Sequence, residues 1–220
     1  MDKNTFAQTA RRIALEEKTL YVMGGVGGCL HDKGKSRALK ASNKYNNEPA
    51  RRALIEAADA GTFGFDCVGL IKGILWGWCG DTNPSYSYGG AAFGSAGVPD
   101  LGADAMIKRC YDCASDFTTV DIGEMVWMSG HCGIYVGGGL VAESTPIWED
   151  GVQLTACGNL GEIEGCRTRT WTTHGRLPWV DYTPREGEEV RIVGVASGKC
   201  EHTSRLVYQG KDTAIAVFEG

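Results

Sequence analysis

Phe63-Gly64-Phe65-Asp66-Cys67-Val68-Gly69-Leu70-Ile71-Lys72-Gly73-Ile74-Leu75-Trp76-Gly77-Trp78 is the stretch that decides how the rest of the chain is read. Cys67, Leu70, Ile71, Ile74, Leu75 and Trp78 recur with the i, i+3, i+4, i+7 rhythm of one helix face. Asp66 stands where an N-cap carboxylate belongs, so the spacing predicts a helix that opens at Cys67. Gly69, Gly73 and Gly77 form a smooth stripe along which another element could approach closely. A thiol in the first helical turn meets unpaired N–H groups and the positive end of the macrodipole, which favour thiolate. Cys67 is therefore a candidate nucleophile, and a packed, inert thiol is the competing reading until a base is found. A membrane helix is excluded, because the apolar run carries Lys72 and falls short of the ~20 residues that a span needs.

Working outward, 220 residues suffice for one sizeable domain with a small appendage. A composition of 43% apolar and 22% charged residues is that of a globular protein. A net charge of −5 argues against a nucleic-acid partner and gives no attraction to anionic lipid. Nine cysteines, an odd and unevenly spaced set, point to reduced thiols rather than a disulfide scaffold. The polar opening Met1-Asp2-Lys3-Asn4-Thr5 has no signal-peptide core, so synthesis in the cytoplasm is expected, with release by lysis or another unconventional route.

Residues 5–18 read as an amphipathic helix with Phe6, Ala10, Ile13 and Ala14 on one face. The cluster Gly24-Gly25-Val26-Gly27-Gly28 begins like a dinucleotide loop, but Leu30 replaces the third glycine and no helix pattern follows. The basic segment 31–46 reads as an exposed loop, and Pro49 and Gly61 bracket a helix over 48–60. Residues 80–100 read as loop and 101–113 as a short helix. From Val120 the pattern turns to strand. A boundary is expected near 184. The β-rich extension 185–220 carries strands at 190–195, 204–208 and 214–218, and it either packs on the main body or mediates self-association.

The strand region supplies the base. His131-Cys132-Gly133-Ile134-Tyr135-Val136 and Leu140-Val141-Ala142-Glu143-Ser144 flank three glycines and form a hairpin. With Gly137–Gly139 as its loop, Gly133 faces Glu143, and His131, Gly133 and Glu143 share one side. His131 and Glu143 are then diagonal neighbours, about 7–8 Å apart at the backbone and within side-chain reach. A carboxylate beside an imidazole orients it and stabilises its protonated form, as a general base requires. His31 and His202 read as solvated, and His174 is the rival base. Cys110 and Cys113 form a CxxC, but no second ligand pair follows, so no metal is expected, and no pattern calls for a cofactor.

Three of these stretches together resemble the NlpC family of cell-wall cysteine peptidases. Asp66-Cys67-Val68-Gly69-Leu70 is similar to its Asp-Cys-Ser-Gly-Leu signature, and Gly130-His131-Cys132-Gly133-Ile134-Tyr135 to its Gly-His-Val-Gly-Ile-Tyr strand. Leu20-Tyr21-Val22-Met23-Gly24-Gly25 is similar to its upstream Tyr-Val-Trp-Gly-Gly. The run Glu143-Ser144-Thr145-Pro146-Ile147-Trp148 looks most like endolysin catalytic domains of phages and prophages. The resemblance implies a papain-like α+β fold, with the nucleophile helix on a central antiparallel sheet. It implies cleavage of peptidoglycan stem peptides through a thioester, commonly between D-glutamate and the diamino acid. Cys67 would be nucleophile, His131 base and Glu143 the third polar member. Tyr21 would help hold the oxyanion or substrate, and Asp66 would bind the stem's free amine. Val68 departs from the family's serine, which puts the bond cleaved in doubt. The nearest alternative is an N-acetylmuramoyl-L-alanine amidase. A non-catalytic wall-binding module and a papain-like hydrolase of another amide are the remaining readings.

Overall fold

A computed structural model describes residues 1–83 and 88–184, together with the backbone of three strands beyond them. The chain divides into two units, Met1–Asp181 and Tyr182–Gly220.

The first unit is α+β. Helix α1 (Lys3–Glu16) starts where the Asp2 carboxylate accepts from the Thr5 N–H at 3.0 Å, and it buries Phe6, Ala10 and Ile13. Strands β1 (Thr19–Tyr21) and β2 (Val26–Cys29) follow, then α2 (Asp32–Ala38), α3 (Pro49–Ala57) and β3 (Phe63–Phe65). The three strands form a small sheet in the order β1-β3-β2, with β1 parallel and β2 antiparallel to β3. Leu20, Val22, Leu30 and Ile55 pack together as its core.

Residues 31–46 are not all loop, because α2 lies within them. His31 caps it through Nδ1, which accepts from the N–H groups of Lys33 and Gly34 at 3.2 and 3.4 Å. A Cβ at Gly34 would collide with the Cys29 carbonyl, so backbone proximity rather than an apolar face seats this helix. That is why hydrophobic periodicity misses it.

The central helix α4 (Cys67–Leu75) begins at the expected residue, with every position buried. Each of Leu70, Ile71 and Ile74 contributes about 1.5–3 kcal/mol by leaving water. The buried Lys72 ammonium pairs with Asp100 and lies over the Trp76 ring at 5.8 Å. The glycine stripe meets the glycine-rich loop: a Cβ at Gly69 would enter the Gly25 carbonyl, and one at Gly73 would lie 3.1 Å from the Val26 carbonyl. Gly77 plays a different part, ending the helix with φ at +90°.

Beyond the short helix α5 (Ala103–Met106) come β4 (Tyr111–Ala114), β5 (Met125–Met128), β6 (His131–Gly137), β7 (Leu140–Thr145), β8 (Gly151–Cys157), β9 (Thr168–Arg169) and β10 (Thr173–Arg176). They form one sheet in the order β4-β10-β5-β6-β7-β8-β9. It is mixed rather than wholly antiparallel: β9 returns alongside β8 in parallel after a long connection, as a parallel neighbour requires. The β6–β7 register places Ile134 opposite Ala142 and Tyr135 opposite Val141, the alignment the hairpin predicts. At the turn Gly137 pairs with Leu140, and a register shift between Tyr135 and Gly137 absorbs the extra residue. Gly137, Gly138 and Gly139 have φ of +84°, +62° and +76°, which only glycine adopts without strain. Helix α4 packs against β6 and β7, while Phe117, Val126, Tyr135, Val141, Cys157 and Trp171 form a second core cluster.

In the second unit β11 (Glu189–Arg191), β12 (Ser204–Tyr208) and β13 (Ala214–Phe218) form an antiparallel sheet. Residues 192–195 of the first expected strand lie outside the described residues.

Candidate active site

Cys67 is the first residue of α4, and its surroundings are set by Asp66. The Asp66 carboxylate accepts from its own helix at Gly69 N–H (2.5 Å) and from Gly24 N–H of the glycine loop (2.8 Å). The Asp66 N–H in turn donates to the Gly25 carbonyl at 2.9 Å. One residue thus caps the helix that opens at Cys67 and fastens the loop that follows Tyr21. Burial foremost, then the negative charge of Cys67, pushes the Asp66 carboxyl up to about 6. Strand β7 is tied to the same place by Ser144 Oγ, which donates to the Phe65 carbonyl at 2.9 Å.

The structure brings Cys67, His131 and Glu143 together. His131 Nε2 lies 2.6 Å from Glu143 Oε2, and the Cys67 sulfur is an electrostatic neighbour of the His131 ring. With Nε2 engaged by Glu143, Nδ1 is the ring nitrogen left for the sulfur. Cys132, the next residue along β6, places its thiol beside Cys67. That thiol contact, followed by the hydrogen bond and charge of His131, lowers the Cys67 pKa to about 4 against the opposing effect of burial. Burial also opposes charge on His131, but its bonds to Cys67 and Glu143 outweigh it and raise the imidazole to about 8. Between those two values the pair rests as thiolate and imidazolium. Cys132 itself is pushed well up by burial and by its neighbour's charge, and so remains a thiol.

Glu143 is fully buried and saturated with donors. Besides His131 it accepts from Thr155 Oγ1 at 2.7 Å and from Arg169 Nε at 3.0 and 2.8 Å. Trp171 stacks on the imidazole, with ring centroids 5.6 Å apart and planes 14° apart. Thr155, Arg169, Trp171 and Cys132 are site residues that sequence reasoning missed. The Arg167-Thr168-Arg169-Thr170-Trp171 run alternates like a strand, but nothing local says which arginine turns inward.

Tyr21 is buried beside this centre. Burial first, then the charges of Cys67 and Asp66, raises its hydroxyl above the ordinary tyrosine range, so it stays a donor. Its backbone is held from behind. Asp150 Oδ1 accepts from the Tyr21 N–H at 3.2 Å, and Arg51 bonds both the Tyr21 carbonyl and Asp150. The Arg51 guanidinium also lies over the rings of Tyr21 and Tyr45 at 5.8 and 5.9 Å.

The rival residues sit elsewhere. His174 is buried, with Nδ1 on Glu124 and Nε2 at 3.0 Å from the Asp116 carbonyl, so both ring nitrogens are occupied by the fold. His31 caps α2, and His202 lies outside the described residues. Cys110 and Cys113 flank Gly175, whose missing Cβ would meet Cys113 Sγ at 2.6 Å and Cys110 Cβ at 3.0 Å. Burial raises both thiols, Cys110 to about 12. Among the described residues no group of three or more His, Cys, Asp or Glu is arranged to hold a metal ion, and no helix is long and apolar enough to cross a membrane.

Comparison with family models, with curated proteins and with solved structures returns no match to this chain.

Proposed function

We propose that this protein is a peptidoglycan hydrolase that cleaves a stem-peptide amide through a Cys67 thioester, on a papain-like arrangement of helix and sheet. The observation that carries the reading is the buried Glu143 carboxylate 2.6 Å from His131 Nε2, with Cys67 as the ring's electrostatic neighbour at the start of α4. A thiolate at a helix start, an imidazolium in contact with it and a carboxylate fixing the ring's far nitrogen are the parts that acyl transfer needs. In the first step the sulfur adds to the amide carbonyl. The Cys67 backbone N–H and the Tyr21 hydroxyl are the donors for the developing oxyanion. His131 then gives its proton to the departing amine as the thioester forms. A water, deprotonated by the now neutral His131, releases the acid and restores the thiolate.

The D-glutamyl–diamino acid bond is the primary assignment. A second reading, the lactyl–L-alanine amide, is favoured by one feature of the site. Both Asp66 oxygens already accept backbone N–H groups and Val68 offers no hydroxyl, which weakens the expected recognition of a free stem amine. Digestion of purified cell wall followed by mass analysis separates the two, since an amidase frees whole stem peptides from the glycan. The Cys67→Ala variant should fold and lose lysis entirely. Undiminished lysis by that variant refutes the assignment.

A further inference from the structure

His131 and Arg169 compete for one carboxylate. Arg169 Nε lies within 3.0 Å of both Glu143 oxygens, and His131 Nε2 lies 2.6 Å from Oε2. The guanidinium is held on Glu143 by aromatic faces, Trp148 at 4.8 Å and Trp171 at 5.7 Å from its central carbon. Trp171 is also the ring stacked on His131. A hydrolase of this kind needs its imidazolium to keep a proton during attack and to release it when the amine departs. A buried glutamate with no other partner would serve the first need and defeat the second, because a full negative charge at hydrogen-bond distance holds the imidazolium proton.

We propose that Arg169 is a positioning residue that acts through Glu143: its permanent charge keeps the shared carboxylate anionic while drawing part of its field away from His131, so that the imidazolium can release its proton to the leaving amine. The inference rests on the cysteine-hydrolase reading for its purpose, but its physical content concerns His131 alone. The ionisable groups that bear on that ring are Cys67 at the start of α4, Cys132 beside it on β6, Glu143 on β7 and, through Glu143, Arg169 on β9. Among these, Arg169 is the cation.

The test measures His131 without any substrate. In a Cys67→Ala background, the His131 ring is titrated by NMR in the parent, in Arg169→Met and in Arg169→Lys. Removing a like charge at this range raises an imidazole pKa, here by about one unit, the low end for neighbouring charges because Glu143 lies between. The expected result is a midpoint about one unit higher in Arg169→Met and close to the parent in Arg169→Lys. In proteins that retain Cys67, the alkaline limb of wall lysis should move in the same direction. An unmoved or lowered midpoint in Arg169→Met, or a Lys variant that shifts as far as the Met variant, overturns the proposal. Arg169→Gln, which keeps N–H donors without charge, replaces the Met variant if that one does not melt cooperatively. Loss of folding in both neutral variants assigns Arg169 to stability alone and overturns the proposal as well. Because the titration needs no turnover, failure to cleave cell wall leaves it readable.

Discussion

Replacing Glu143 by glutamine removes the charge beneath the Cys67–His131 pair while changing the shape of the side chain little. Protonated His131 is favoured in the folded protein by a rise from 6.5 to about 8, which is 8 − 6.5 = 1.5 units, or about 2 kcal/mol. Burial works against that rise, and Cys67 and then Glu143 supply it. If the midpoint in Glu143→Gln falls back to about 6.5, the imidazolium fraction at pH 7.5 drops from about three quarters to about one tenth. At pH 5.5 it stays near nine tenths. Protonation alone therefore predicts a defect about eightfold larger at pH 7.5 than at pH 5.5. A pH-independent loss from the misdirected ring is superimposed on it. The same change leaves Arg169, whose side chain is 13% exposed, without its counter-charge. Breaking a buried pair costs about 3–5 kcal/mol, and the remaining solvent contact selects the low end. At about 2–4 °C per kcal/mol for a chain of this size, melting should fall by about 6–12 °C. Turbidity loss of wall suspensions at the two pH values and thermal melts by circular dichroism give both numbers. A wild-type to variant ratio that is flat between pH 5.5 and 7.5 would refute this role for Glu143.

Cys132→Val, close in volume, removes the thiol beside Cys67 that lowers its pKa, so the Cys67 pKa should rise from about 4 while His131 still holds it below 9. Alkylation of Cys67 by iodoacetamide at pH 5, followed by peptide mass, should slow several-fold, and an unchanged rate removes Cys132 from the site. His174→Gln should cost about 1–3 kcal/mol of stability, with turnover per folded molecule unchanged. Since bonding to Glu124 and Asp116 raises the His174 pKa above 6.5 against burial, that stability is fully present below about 6.5 and is lost as pH rises through the raised value. The gap between variant and parent melting should narrow accordingly. Gly69→Ala drives a Cβ into the Gly25 carbonyl, which cannot turn aside as a side chain could, and should cost about 1–3 kcal/mol on a denaturant curve.

What could be read beforehand was whatever local rules govern. The α4 start needs only Asp66 and the apolar spacing, and the hairpin register needs only alternation and three glycines, so Cys67, His131 and Glu143 could be placed from sequence. What could not be read depends on distant partners. Arg169 reaches Glu143 from across β8, and Thr155 gains its role only because β8 lies beside β7. Helix α2 was hidden because it is seated by a glycine on a carbonyl, without an apolar stripe. Asp66 was visible as a cap, but its bond to Gly24 depends on a loop forty-two positions earlier.

Arg51 has a consequence for anyone wishing to trim this protein. One guanidinium from α3 grips the Tyr21 carbonyl and the Asp150 carboxylate, while Thr19 Oγ1 accepts from Val152 N–H at 2.9 Å. Helix α3 and strand β1 are therefore riveted to the later strands at Tyr21 itself. A fragment that begins after α3, or one that stops before β8, would carry Cys67 and His131 on an unfinished half, so residues 1–181 form the shortest span worth expressing.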